Sequence, residues 1–129
     1  MNKLLTFIAI TLLLGCHTNL HQSYKVSDNY YVATIDTPGN RSLYYDLGNG
    51  NGAGRVNDGV VGIGWDKVHI IVRQNIATKD YYYILEINKD SKYADPSESV
   101  SGPLSKAKFH EMREKLKVDP ALDFSKTWP

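Results

Sequence analysis

Apolar and polar positions divide this chain into three regimes. From Leu4 to Leu14 nearly every residue is apolar, broken only by Thr6 and Thr11. The run is shorter than the roughly 20 residues a membrane-spanning helix needs, and it fits the 7–15-residue core of a secretory signal. His17 to Asp28 is polar and reads as a tether. From Asn29 onward apolar residues alternate with polar ones, the period of a half-buried strand. Tyr30–Ile35 and Ser42–Leu47 are predicted strands, separated by the turn Thr37-Pro38-Gly39-Asn40. Val60–Trp65, Val68–Arg73 and Tyr81–Ile87 follow, with a hairpin tip at Asp66-Lys67 and a turn over Asn75–Asp80. Asn88 to Gly102 is polar and reads as a loop. Ser105 is a predicted N-cap for a helix to about Lys117, with Phe109, Met112 and Leu116 on one stripe. Asp119-Pro120 opens a further short helical turn, after which Leu122, Phe124 and Trp128 cover an edge of the core. The expectation is an α+β domain, an antiparallel β meander of about five strands with a C-terminal helix packed on it.

The first regime ends at Leu13-Leu14-Gly15-Cys16, which resembles the lipobox of bacterial lipoproteins, although Leu14 is a less usual occupant of its position. The resemblance implies that the Cys16 thiol takes a diacylglyceryl group and that cleavage precedes Cys16, after which the new amine is open to acylation. Each buried methylene contributes about 0.8 kcal/mol, so two or three acyl chains anchor a protein without a transmembrane helix. The expected organisation is a signal peptide over 1–15, a lipidated cysteine and flexible tether over 16–28, and one domain over 29–129. His17 follows Cys16, and by analogy with enteric sorting this sends the protein to the periplasmic face of the outer membrane in a Gram-negative cell.

Composition narrows the partners. Residues 16–129 make about 115 residues, one ordinary domain. Lys3 is the only charge in residues 1–15, so the whole-chain formal charge of +1 falls to zero without them. A neutral domain lacks the basic surplus that nucleic acid or an anionic membrane attracts. Cys16 is the only cysteine and leaves no second thiol for a disulfide. Packing must supply the stability, and nine tyrosines, three phenylalanines and two tryptophans supply bulk for it.

No pattern of catalytic residues emerges. The segment Gly48-Asn49-Gly50-Asn51-Gly52-Ala53-Gly54-Arg55 lacks the Gly-Lys-Ser/Thr of a phosphate loop, the glycine spacing of a dinucleotide fold and the ligands of a calcium loop. It reads as a flexible loop whose Arg55 is a candidate partner contact. His17 and His21 lie in the tether, His69 on a strand and His110 off the helix stripe, with no metal-ligand spacing among them. No serine sits in a Gly-x-Ser-x-Gly elbow. Asp36, Asp46, Asp66, Asp80 and Glu86 are dispersed, and any two could meet in space. Tyr44 and Tyr82, on the polar sides of their strands, are candidates for a binding face. Neither a catalytic set nor a metal or cofactor site is expected.

Gly64 to Phe124 resembles a family of small, uncharacterised bacterial lipoproteins. The likeness rests on the hairpin Trp65-Asp66-Lys67-Val68-His69-Ile70-Ile71, the aromatic strand Tyr81-Tyr82-Tyr83-Ile84, and Gly102-Pro103-Leu104-Ser105 before a helix with Phe109, Arg113 and Leu116. It implies an α+β domain on a lipid anchor and no activity. The expected function is a membrane-tethered, non-enzymatic interaction domain of the cell envelope that meets a protein partner, an immunity-type lipoprotein being one form. The alternatives are a small envelope hydrolase using His69 or dispersed carboxylates, and a glycan- or peptide-binding module with a tyrosine-lined groove.

Overall fold

A computed structural model of the chain describes residues 23–129. The expected signal peptide, Cys16 and the first part of the tether lie outside the described residues. Strands occupy Ser23–Ser27 (β1), Tyr30–Thr34 (β2), Arg41–Gly48 (β3), Asn51–Val56 (β4), Val60–Trp65 (β5), His69–Ile76 (β6), Lys79–Glu86 (β7), Val100–Leu104 (β8) and Lys126–Thr127 (β9). Helices occupy Pro96–Ser99 (α1) and Lys106–Lys115 (α2). The strands form two sheets, β1-β2-β3-β4 and β8-β7-β6-β5-β9, with antiparallel pairing throughout. The α+β expectation holds, with the meander β5-β6-β7 at the centre of the second sheet.

Alternation sorts the core into two layers. Tyr30, Val32, Leu43 and Val56 of the first sheet meet Val60, Ile63, Ile70, Val72 and Leu85 of the second. On the opposite face of the second sheet, Ile71, Tyr82 and Ile84 pack under Phe109 of α2 and Val118. β6 is therefore covered on both sides: Ile70, Ile71 and Val72 are all fully buried, which is why they read as a continuous apolar run. The helix starts as expected, with Ser105 Oγ accepting from the Lys108 amide at 3.2 Å. It stops at Lys115, two residues early, because Lys117 takes a left-handed conformation at φ +56°.

Other expectations need correction. The tether proposed to run to Asp28 already contains β1, whose backbone pairs with β2 from Ser23 onward. The Gly48–Arg55 segment is no flexible loop. Gly48 pairs with Asn51 across a two-residue turn, Asn49-Gly50, with φ values of +55° and +76°, the left-handed pair that closes a tight hairpin. The stretch from Asn88 to Gly102 includes part of a 3-10 turn, Ile87–Lys89, then α1 and the start of β8. Asp119-Pro120 forms a hydrogen-bonded turn, Leu122 N–H to Asp119 carbonyl at 3.0 Å, without a helix.

Candidate functional site

Two of the three surface candidates are in fact buried. Arg55 lies at the core edge of β4, and its Nε donates to Asp90 Oδ2 at 2.8 Å. The two side chains are 2% and 0% exposed. Tyr30 donates its hydroxyl to the same carboxylate oxygen at 2.8 Å, and the remaining guanidinium nitrogens reach the Ser91 carbonyl at 3.1 Å and the Gly54 carbonyl at 3.2 Å. The guanidinium also stands 5.3 Å from the centre of the Tyr45 ring. Burial first, then the hydrogen bond to Asp90 and its charge, push the Tyr30 phenol well above the usual tyrosine range. A cation this enclosed cannot meet a partner; it pins the first sheet to the segment after β7. Tyr82 is likewise covered, stacked on Phe109 with ring centres 4.8 Å apart beneath α2. The polar-looking side of β7 is the one the helix packs on.

Tyr44 is where a binding residue would be. The register Lys25↔Tyr31↔Tyr44↔Gly54 lays one row across the outer face of the first sheet, the face turned away from the core. Tyr31 and Tyr44 are half-buried and stack with centres 5.4 Å apart and planes at 23°. The Tyr31 hydroxyl lies over Gly52; a Cβ there would collide with it and stand 3.0 Å from Tyr44 Cβ. Glycine on β4 thus lets the phenol lie across the sheet. Partial burial, then the Asp46 carboxylate, raise the Tyr31 pKa, so the phenol stays a neutral donor.

This face merges with two depressions on either side of the β1–β2 hairpin. The outer one, about 480 Å³, is lined by Tyr31, Ala33, Ile35 and Asp46. The inner one, about 820 Å³, opens between the sheets against Val26, Trp65, Lys67 and Ile87. Lys25, Asp28 and Tyr30 border both. Volumes of this size suit a small ligand or a partner's side chains, and the lining mixes an apolar floor with unlike charges at the rim. Sequence reasoning missed Tyr31, although it stands beside Tyr30, on the opposite face of β2.

Among the described residues, no ion pair or hydrogen bond joins the His69 side chain to any of the carboxylates weighed for catalysis. His69 is 5% exposed on β6, paired in register with Glu86. Asp66 Oδ1 accepts the Val68 and His69 amides at the hairpin tip, and Asp80 accepts from Asn75 at the other end of that strand pair. His110 is exposed on α2. Among the described residues no group of three or more His, Cys, Asp and Glu side chains could hold a metal ion, and no helix is long and apolar enough to cross a membrane.

Residues 27–127 match the model of a family described as "Protein of unknown function (DUF3997)". No curated protein and no solved structure matches the chain. The chain belongs to that family, whose span covers every strand except most of β1.

Proposed function

We propose that this member of the DUF3997 family is a lipid-anchored binding domain of the bacterial cell envelope, acylated at Cys16 and presenting the outer face of its first sheet to a protein partner. The open tyrosine row carries the reading. One face of the second sheet is closed by α2 and the other by the first sheet, whereas Tyr31 and Tyr44 stand on a face that no other element covers among the described residues. Tyrosine supplies contact area and a hydroxyl at low rotamer cost. The adjoining carboxylates and Lys25 would set the orientation of the bound surface. The lipobox supports the anchor, and the export it implies supports the envelope as location. The 820 Å³ cleft favours a second reading, a module for a peptide or glycan end inserted between the sheets.

The test uses the processed chain, residues 16–129 with Cys16→Ser, as bait in an envelope extract. A specific partner should be retained by this chain and lost at least tenfold by Tyr31→Ser/Tyr44→Ser, with unfolding of the variant unchanged. Equal capture by both chains would refute the tyrosine face. For the anchor, Cys16→Ser in cells should abolish lipid labelling and membrane retention together; retention without label would refute acylation as the anchor.

A further inference from the structure

The edge at which the described chain begins carries a second surface, unlike the tyrosine row. Ser23 opens β1, and Tyr24 turns its ring to the other side of that strand from Lys25. There it meets Trp128 edge-on, ring centres 5.7 Å apart at 88°, and Trp65 at 6.2 Å and 73°. Two cations flank this aromatic group. The Arg41 guanidinium carbon is 5.2 Å from the centre of the Trp128 ring. Lys126 Nζ is 5.4 Å from the same ring and 5.6 Å from that of Tyr24. Together Ser23, Tyr24, Val32, Arg41, Lys126 and Trp128 enclose a shallow cavity of about 170 Å³.

No carboxylate lines that cavity. The ion pairs among the described residues are Arg55–Asp90, Lys89–Glu86 and Lys108–Glu111, so neither Arg41 nor Lys126 is neutralised. Arg41 gives one hydrogen bond, to the Gly39 carbonyl at 3.2 Å. Two like charges held against one indole repel each other, and an anion between them would relieve that repulsion. Tyr24, 36% exposed, adds apolar area on this side. Half-buried tyrosine and tryptophan beside lysine and arginine is the composition favoured at a bilayer's headgroup level.

We infer that this edge is a docking surface for anionic lipid headgroups, the phosphate entering between Arg41 and Lys126 with Tyr24 and Trp128 at the interface. The inference rests on the lipid-anchored reading. Ser23 lies seven positions after Cys16, and seven extended residue steps reach at most about 25 Å, so the membrane is never far from the cavity. Overall neutrality, which speaks against long-range attraction, does not decide the contact. Fields are screened beyond about 8 Å at physiological salt, and within that distance the local pair of cations sets the sign. The domain is thereby held down on one edge.

The experiment uses the same non-acylated chain, residues 16–129 with Cys16→Ser, which contains every described element. It is sedimented with vesicles of phosphatidylglycerol and phosphatidylcholine, and with vesicles of phosphatidylcholine alone. Binding should appear on the anionic vesicles only and fall with salt. Arg41→Gln and Lys126→Gln should each weaken it about fivefold, the loss of one interfacial charge, while Arg41→Lys restores it and Tyr44→Ser leaves it unchanged. Urea unfolding of each variant separates lost binding from lost fold, and Lys126→Gln, on a two-residue strand, keeps the test open if Arg41→Gln fails to fold. Equal binding to both vesicle types, or indifference to both charge substitutions, would overturn the inference. Complete competition by millimolar inorganic phosphate would also overturn it, by showing a site for a free anion. Lipid labelling at Cys16 is scored independently, so a failed anchor and a failed docking surface give different results.

Discussion

The Asp90 carboxylate should be the most costly single group to remove from this domain. It accepts Tyr30 Oη and Arg55 Nε on one oxygen, each at 2.8 Å, and the Ser91 amide on the other at 2.9 Å. Neither charged side chain exceeds 2% exposure, so water cannot replace a lost partner. Asp90→Asn preserves the volume and leaves the guanidinium buried without a counter-charge. Breaking one side of such a pair costs about 3–5 kcal/mol, a large share of the 5–15 kcal/mol typical of a whole domain. With urea slopes of about 1–3 kcal/mol/M, the unfolding midpoint should fall by at least roughly 1 M. The same reasoning makes an opposite claim about removing the entire group. Tyr30→Phe/Arg55→Met/Asp90→Leu takes away both charges and the hydroxyl, so desolvation is no longer owed. That triple variant should unfold within about 1 kcal/mol of the natural chain, because apolar replacement of a buried pair is often neutral or better. Equilibrium urea unfolding, followed by tryptophan fluorescence and circular dichroism, measures both. A loss below about 1 kcal/mol for Asp90→Asn at unchanged slope, or a triple variant as unstable as the single one, would refute the reasoning.

Alkaline pH should act through the same cluster. The folded state raises the pKa of Tyr30, so the neutral phenol contributes stability that is complete below the ordinary value of about 10 and is lost as pH climbs above it. Unfolding midpoints should therefore drop above pH 10, and Tyr30→Phe should flatten the decline, leaving the smaller slope due to Tyr31 and Tyr83, whose pKa values burial also raises. The β6–β7 turn places Ala77 at φ +49° and Thr78 at +67°, both disfavoured for residues with a Cβ. Replacing the pair with Asn-Gly should raise stability by about 1–2 kcal/mol, read as a higher urea midpoint at constant slope. At Gly64 a Cβ would run into the Asp123 carbonyl, so Gly64→Ala should cost about 1–3 kcal/mol and loosen the C-terminal segment. Faster hydrogen exchange at the Trp128 amide, which bonds to the Val61 carbonyl at 2.9 Å, is the local readout.

Legibility in the sequence tracked the amount of side chain available to alternate. β5, β6 and β7 announced themselves because Val, Ile and Tyr recur on both parities, and α2 because Ser105 and Phe109 sit at cap and core spacing. β4 had no such signal: Gly52, Ala53 and Gly54 offer nothing to place on either face. What marked it was the Asn49-Gly50 dipeptide, whose left-handed φ values close the hairpin. β1 and β9 are edge strands, and β8 contains Gly102-Pro103; each is recruited by a neighbour rather than by its own pattern. Tyr44 stays half-buried on the outer face of the first sheet. Tyr82 has the same alternation but lies beneath a helix, and one-dimensional periodicity does not say which polar side is later covered. The Arg55–Asp90 pair spans 35 positions, and nothing local to either residue indicates the other.

β1 joins the two proposed surfaces, and its alternation keeps them apart. Lys25 borders the outer depression beside Tyr31 and Tyr24 faces Trp128 and Lys126, while Ser23 at the start of the strand touches both cavities. Successive side chains of a strand point to opposite sides, so a membrane contact made through Tyr24 does not cover the tyrosine row. Anchoring and partner binding can then occur together, and the domain does not have to release the bilayer to meet its partner. The separation should be visible in single substitutions only one residue apart. Lys25→Gln should weaken the partner contact and leave vesicle binding intact; Tyr24→Ser should do the reverse. If either change disturbed both equally with the fold preserved, the two surfaces would be one, and the strand would be acting as a single edge rather than as a divider.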